Sequence, residues 1–316
     1  MKGNKWMRLP LAAAAASLLA VAGSIGSSAS TVSARVPSTR HLLGTVQQVQ
    51  AARARLARNE LGVPCEVECL GPMLSGGGPI QHTPAVYIVF WGWHGADPAG
   101  EAPYLQNFFN GVGGTGWANI QTQYNGSNGY VANPTGQLKG VWWDDSSTPA
   151  NPTPDASLGD EAVRAAAHFG YNPDADYFIA TPRGSGTTGF AGKGGSYCAY
   201  HDSRVNNGQT IAWTNFPYIP DAGASCGQNF VNANGPLDGV SMVGGHEYAE
   251  AVTDPVVGTG WTDLTGNETG DKCAWIAAGP GTAANINLST GTFPVQSLYS
   301  NAANLGTVGG CVLSYP

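Results

Sequence analysis

Positive charge is nearly missing from most of this chain. Eight of its fourteen Lys and Arg residues, but only one of its twenty-one acids, fall within the first 60 of 316 residues. Residues 61–316 therefore carry six basic and twenty acidic side chains, a formal charge of −14. A surface so acidic repels phosphate backbones and anionic lipid, which argues against nucleic acid as a partner and against a membrane surface once the leader is gone. It suits calcium or cationic substrates.

Other absences narrow the field further. No Cys-x-x-Cys pair occurs, so a thiolate zinc cluster of the usual spacing is not encoded. The glycine-rich residues 184–195 lack the Lys-Ser/Thr ending of a phosphate loop and read as a plain loop. Beyond the leader no apolar run approaches the length that spans a bilayer.

What the sequence does hold begins with a targeting pattern. Lys2, Lys5 and Arg8 precede the apolar residues 11–22, and small residues offer cleavage after Ala22, Ala29 or Ala34. This predicts a secretory signal peptide within residues 1–34 and a secreted, extracellular product. Residues 45–61 carry Arg53, Arg55 and Arg58 on a helical pattern that stops before Gly62 and Pro64. Residues 35–70 are thus either a propeptide whose arginines cover an acidic domain or a flexible basic leader and linker, ahead of a single domain over 71–316. Export also predicts that Cys65, Cys69, Cys198, Cys226, Cys273 and Cys311 form three disulfides. Six cysteines permit several connectivities; the pairing we expect is Cys65–Cys69, Cys198–Cys226 and Cys273–Cys311.

Periodicity sets the fold class. The run Ala85-Val-Tyr-Ile-Val-Phe-Trp91 has no polar face and reads as a central strand buried on both sides. Residues 101–112 and 117–124 look helical, and residues 157–170 form the clearest amphipathic helix, opened by Ser157 and closed by Gly170. Residues 140–143 and 176–181 are expected strands, and residues 197–201 and 210–214 a strand pair. The order helix, strand, edge strand and metal helix predicts an α/β (α+β) domain with a zincin-like mixed sheet, an active-site helix and disulfide links. In such a domain the edge strand takes an extended peptide.

The chemistry lies in the segment from Gly239 to Pro255. His246 and Glu250 are four residues apart, so on a helix they project from one face and can hold one metal ion, with Glu247 beside them. This is the H-E-x-x-H zinc-hydrolase pattern with a carboxylate replacing the second imidazole. Gly244 and Gly245 each cost a helix about 1 kcal/mol against alanine, which implies close packing at that point. Asp254 sits where the helix dipole disfavours a carboxylate, so a neighbouring metal or histidine is expected to compensate it as an outer partner. A catalytic zinc needs a third protein ligand, for which Glu268, Asp271 and Asp263 are the candidates, the first two being those expected to serve. His201, next to Asp202 on the expected edge strand, is the candidate stabiliser of a transition state.

The stretches Gly76-Gly-Gly-Pro-Ile80, Val86-Tyr-Ile-Val-Phe-Trp91, Tyr197-Cys-Ala-Tyr-His201, Gly245-His-Glu-Tyr-Ala-Glu-Ala-Val-Thr-Asp-Pro255 and Gly270-Asp-Lys-Cys273 together resemble the secreted Exordium or phosphate-induced protein family and its bacterial relatives over residues 71–316. The specific part is the His-Glu segment with Gly-Asp-x-Cys. The resemblance implies an extracellular protein. Separately, His246-Glu247-x-x-Glu250 followed by Asn267-Glu268 is similar to thermolysin-like zinc peptidases, departing from them at Glu250, where they carry histidine, and in the spacing to Glu268. No methionine follows the helix, unlike the metzincin branch. The functional expectation is a secreted zinc metallopeptidase acting on peptide or protein substrates. His246, Glu250 and either Glu268 or Asp271 hold the metal, and Glu247 serves as general base. The alternative is a non-catalytic extracellular protein that binds cell wall or carbohydrate and uses the same acids for structural calcium.

Overall fold

The computed structural model describes residues 41–57, 71–303 and 310–316. The expected signal peptide (1–34) and the Cys65–Cys69 pair lie outside the described residues. Six strands form one mixed sheet: β1 (Leu43–Gly44), β2 (Ala85–Trp91), β3 (Leu138–Asp144), β4 (Ala175–Ala180), β5 (Tyr197–Asn206) and β6 (Gln209–Phe216), in the order β1-β5-β6-β4-β2-β3. Strands β3, β2, β4 and β6 run parallel, β5 returns antiparallel to β6, and β1 lies antiparallel to β5.

Four helices accompany the sheet: α1 (Val46–Ala57), α2 (Glu101–Val112), α3 (Asp155–Phe169) and α4 (Asp238–Thr253). The apolar run of β2 feeds two cores, as strand alternation requires. Val86, Ile88 and Phe90 meet the Leu105, Phe108 and Phe109 side chains of α2 and Met242 and Val243 of α4. Val89 and Trp91 meet Leu158, Ala162 and Ala165 of α3 on the other face. The result is an α/β domain of three layers. Strand β2 is buried as expected, but it lies one position from the sheet edge rather than at its centre.

Two local expectations need correction. Helix α3 starts at Asp155 after an extended Pro154, so Ser157 is inside the first turn and caps nothing, while Gly170 ends the helix at φ 93° as expected. The helical reading of residues 117–124 is a 3-10 segment, Ala118–Gln123.

Helix α4 is buried along its whole length, so it is a central element and not a surface helix with one core-facing stripe. The adjacent glycines explain how it fits. A Cβ on Gly244 would sit 3.1 Å from Leu105 Cδ1, and one on Gly245 would sit 3.1 Å from Trp117 and 3.2 Å from Phe108. Two disulfides fix the ends of the functional region: Cys198–Cys226 joins β5 to the 3-10 segment before α4, and Cys273–Cys311 joins the loop after α4 to the strand Gly310–Val312. Both pairings are the expected ones. The described part of the leader does not stand apart from residues 71–316. It belongs to the same compact unit, because β1 extends the sheet at β5. Among the described residues, no helix is long and apolar enough to cross a membrane.

Candidate metal centre

His246 and Glu250 lie one turn apart on α4, and both face the loop that carries Glu268 and Asp271. His246 Nε2 is 3.1 Å from Glu250 Oε1 and 3.8 Å from Asp271 Oδ1. One ligand atom from each of these three residues falls within 4.8 Å of the others, close enough for one ion to bridge. Asp271 is therefore the candidate third ligand that stands beside His246. The Glu268 carboxylate lies beside His201 instead, with Oε1 3.5 Å from His201 Nε2.

Alternation along β5 sends Tyr200 to the α3 side and His201 towards α4. The His201 Nδ1 atom is 3.5 Å from Glu247 Oε2 and 3.8 Å from Glu250 Oε2. Glu250 thus turns one oxygen to each imidazole. His201, Glu247 and Glu250 form a second group able to hold an ion, so His201 is at the heart of the cluster and not at its rim.

Sequence reading missed Gln296, which no motif marks. Its Nε2 donates to Gly270 O at 2.8 Å, which leaves Oε1 as an acceptor 3.2 Å from His246 Nδ1. His246 then donates through Nδ1, which leaves Nε2 as the nitrogen that faces Glu250 and Asp271, the orientation that a metal ligand needs. The Asp271 backbone N–H donates to Glu250 Oε1 at 2.8 Å. Gly270 permits this contact, since a Cβ there would meet both Glu250 Oε1 and His246 Nδ1 at 2.8 Å. The Cys273–Cys311 disulfide anchors the loop two residues beyond Asp271.

His201, His246, Glu247, Glu250 and Glu268 are each 1% exposed or less. Burying charge at this density is costly unless each group finds a partner. Yet His201 Nδ1, His246 Nε2 and both carboxylate oxygens of Glu247 and Glu268 have no hydrogen-bond partner among the described residues; the ion-pair distances are short but not aligned for hydrogen bonds. Burial raises the pKa of Glu247 and lifts that of Glu268 well above the usual carboxylate range. Burial alone would lower the pKa of His246, but Glu250 leads the carboxylates that push it up to about 10. The same contest raises His201, with Glu268 and Glu247 prevailing over burial. Asp271 shifts the other way: burial would raise it, but the hydrogen bond from His41 and the charge of His246 lower it. A cluster that draws protons onto both imidazoles is short of positive charge. A divalent cation would supply that charge, and the orphaned N and O atoms fit it.

Some expected members do not join. Asp254 is buried, but its carboxylate accepts the N–H groups of Gly258, Thr259 and Gly260 at 2.6, 3.1 and 2.7 Å, so loop amides and not a metal offset the unfavourable helix dipole. Only its main-chain oxygen reaches the cluster, 3.2 Å from His201 Nε2. The Asp263 carboxylate is taken by Thr265, Asn267 and Lys272 Nζ, the last at 3.2 Å, which leaves it no metal role. His94 contacts Asp145 on the surface, and His168 stacks on Trp142. The string Gly223-Ala224-Ser225-Cys226-Gly227 spells a serine-nucleophile elbow, but it ends a 3-10 segment whose Cys226 is in a disulfide, not a strand-to-helix turn. One unforeseen residue does join: His41, whose Nδ1 is 3.3 Å from Asp271 Oδ2.

Compared with known proteins, the chain matches no protein-family model, no curated protein and no solved structure.

Proposed function

We propose that this protein is an exported metal-dependent hydrolase of zincin type that cleaves peptide bonds. The observation that carries this reading is the set of buried, unpartnered His201, His246, Glu247 and Glu268 atoms converging with Glu250 and Asp271. His246 Nε2, Glu250 Oε1 and Asp271 Oδ1 would hold the ion. The His246 imidazole in the donor set favours zinc over calcium, which prefers an all-oxygen shell.

Zinc, when bound, contributes Lewis acidity and makes water acidic enough to be deprotonated near neutral pH. The chain's own residues do the rest. Among the described residues neither Glu247 oxygen has a hydrogen-bond partner, and burial raises its proton affinity, so it takes a proton from the attacking water and returns it to the departing amine. His201, drawn towards its cationic form by Glu268 and Glu247, stands 3.5 Å from Glu247 and offers positive charge to the oxyanion that develops beside it. Gln296 holds His246 in the required tautomer.

Zinc content of the purified protein, read beside peptidase activity, tests this. Wild type should carry stoichiometric zinc, His246→Ala should lose it, and Glu247→Gln should keep the metal while activity falls by about 10²–10⁴-fold. Absence of a bound transition metal, or undiminished activity in Glu247→Gln, overturns the proposal.

A further inference from the structure

A hydrolase whose reactive groups are almost wholly buried must be covered by something that moves. The most accessible of the candidate metal ligands is Asp271, whose side chain is 15% exposed, and the residue lying against it is His41. His41 opens a strap, residues 41–57, that runs along the loop carrying Asp271 as β1 and then α1. Leu43 pairs with Ala199 and Gly44 with Tyr197, so β1 adds a strand to the edge of β5 just ahead of His201. Thr45 N–H extends the pairing to Ser196 O at 3.1 Å, and Trp275 Nε1 donates to Gly44 O at 2.8 Å. An extended peptide adds to a sheet edge in this way, main chain first, with alternate side chains finding pockets. Leu43 fills such a pocket and is 1% exposed.

We propose that the β5 edge at Tyr197–Ala199 is a binding cleft for extended peptides with an apolar side chain, and that residues 41–57 occupy it in cis as a displaceable plug. This rests on the peptide-hydrolase reading and deepens it.

The attachment of the strap beyond β1 is thin. On α1 only Val46 is buried, with Val49 and Arg53 half-buried on the same face, while the other described side chains point to solvent. Arg53 Nη2 donates to Lys272 O and Ala274 O at 2.9 and 3.0 Å, which pins the helix to the loop carrying Asp271. Between strap and loop lies an open groove of about 350 Å³, lined by Leu43, Val49, Arg53, Asn267 and Asp271. Charge complementarity supplies the rest of the grip, since the strap is basic and the remaining domain strongly acidic.

The test uses the full chain with Thr45→Pro and Arg53→Ala combined. Proline at residue 45 deletes the N–H bonded to Ser196 and is tolerated immediately before a helix. Arg53→Ala removes two hydrogen bonds at the half-exposed face. Expected results are about tenfold faster amide exchange at Ala199, which pairs with Leu43, equivalent to losing one charged hydrogen bond, faster removal of zinc by a chelator, and higher peptidase activity. A synthetic peptide of residues 41–57 added to the variant should restore the protection. Unchanged exchange at Ala199 overturns the proposal, as does exchange that the added peptide does not reverse. Arg53→Ala alone, which disturbs no backbone, guards against a folding defect in the double variant. If exchange responds while neither protein hydrolyses peptides, the plug stands and the hydrolase assignment falls.

Discussion

Gln296 lies fifty residues beyond His246 in the chain and meets its Nδ1 at 3.2 Å. Because the other end of the amide donates to Gly270 O, the contact has one direction, and it aims His246 Nε2 into the acidic cluster. Outer partners of this kind typically contribute 10–100-fold to metal affinity. Gln296→Ala should therefore weaken zinc binding by about that factor without unfolding the protein. Titration of the metal-free protein with zinc, alongside its circular dichroism, measures both; unchanged affinity would show that His246 needs no such support.

Gly270 has φ −79° and ψ −44°, a backbone that alanine adopts freely. What alanine cannot do is fit, since its methyl would lie 2.8 Å from Glu250 Oε1 and His246 Nδ1. Gly270→Ala should cost at least about tenfold in zinc affinity while thermal stability changes by less than about 3 kcal/mol, the usual range for one surplus methyl group. A variant that binds zinc like wild type would mean the loop yields without moving the ligands.

The placement of Asp271 beside His246 and of Glu268 beside His201 separates two residues that the sequence left equivalent. Asp271→Ala should abolish stoichiometric zinc, as should His246→Ala. Glu268→Gln should retain zinc and reduce turnover instead. Metal analysis of the two variants decides, and the reverse outcome would transfer the third ligand to Glu268.

Away from the cluster, Glu101 is fully buried in the first turn of α2, with Oε2 accepting the Ile219 N–H at 2.8 Å and Oε1 unpartnered among the described residues. Burial raises its pKa well above the usual value. The folded state therefore keeps a proton that the unfolded chain releases above about pH 4.3. Stability contributed by this group is intact below that pH and declines as pH rises towards the folded-state pKa, by at most about 1.4 kcal/mol per pH unit. Glu101→Gln cannot ionise and can still accept from Ile219. Urea midpoints between pH 4 and 8 should fall away in wild type relative to the variant, and parallel curves would refute the assignment.

Much of the fold was legible in the chain because local rules and tertiary demands agree there. The polarity of Ala85–Trp91 leaves no solvent face, so it had to be a strand between two cores. His246 and Glu250 share a face whatever surrounds α4, since helix geometry alone places them. The close spacing of Gly244 and Gly245 announced tight packing, which Leu105, Phe108 and Trp117 provide.

Other features depended on contacts that no local pattern encodes. Asp254 looked like an outer partner of the metal because a carboxylate at a helix C-terminus needs compensation; the compensation comes from three loop amides. Gln296 and His41 reach the cluster from fifty residues downstream and from the leader, and nothing in their neighbourhoods distinguishes them from surface polar residues. Which acid joins His246 was a matter of loop path, fixed by Gly270 and the Cys273–Cys311 bridge.

The sequence by itself determined the helix that places His246 and Glu250 on one face and the alternating layers, both consequences of periodicity along a few turns of chain. Tertiary structure alone decided that α4 is buried on every side, that Glu250 faces two imidazoles and that the leader lies along the β5 edge. Those outcomes depend on where distant segments cross, and burial raises the energetic stakes of each crossing because unpaired charge in a water-free interior must find a counterion.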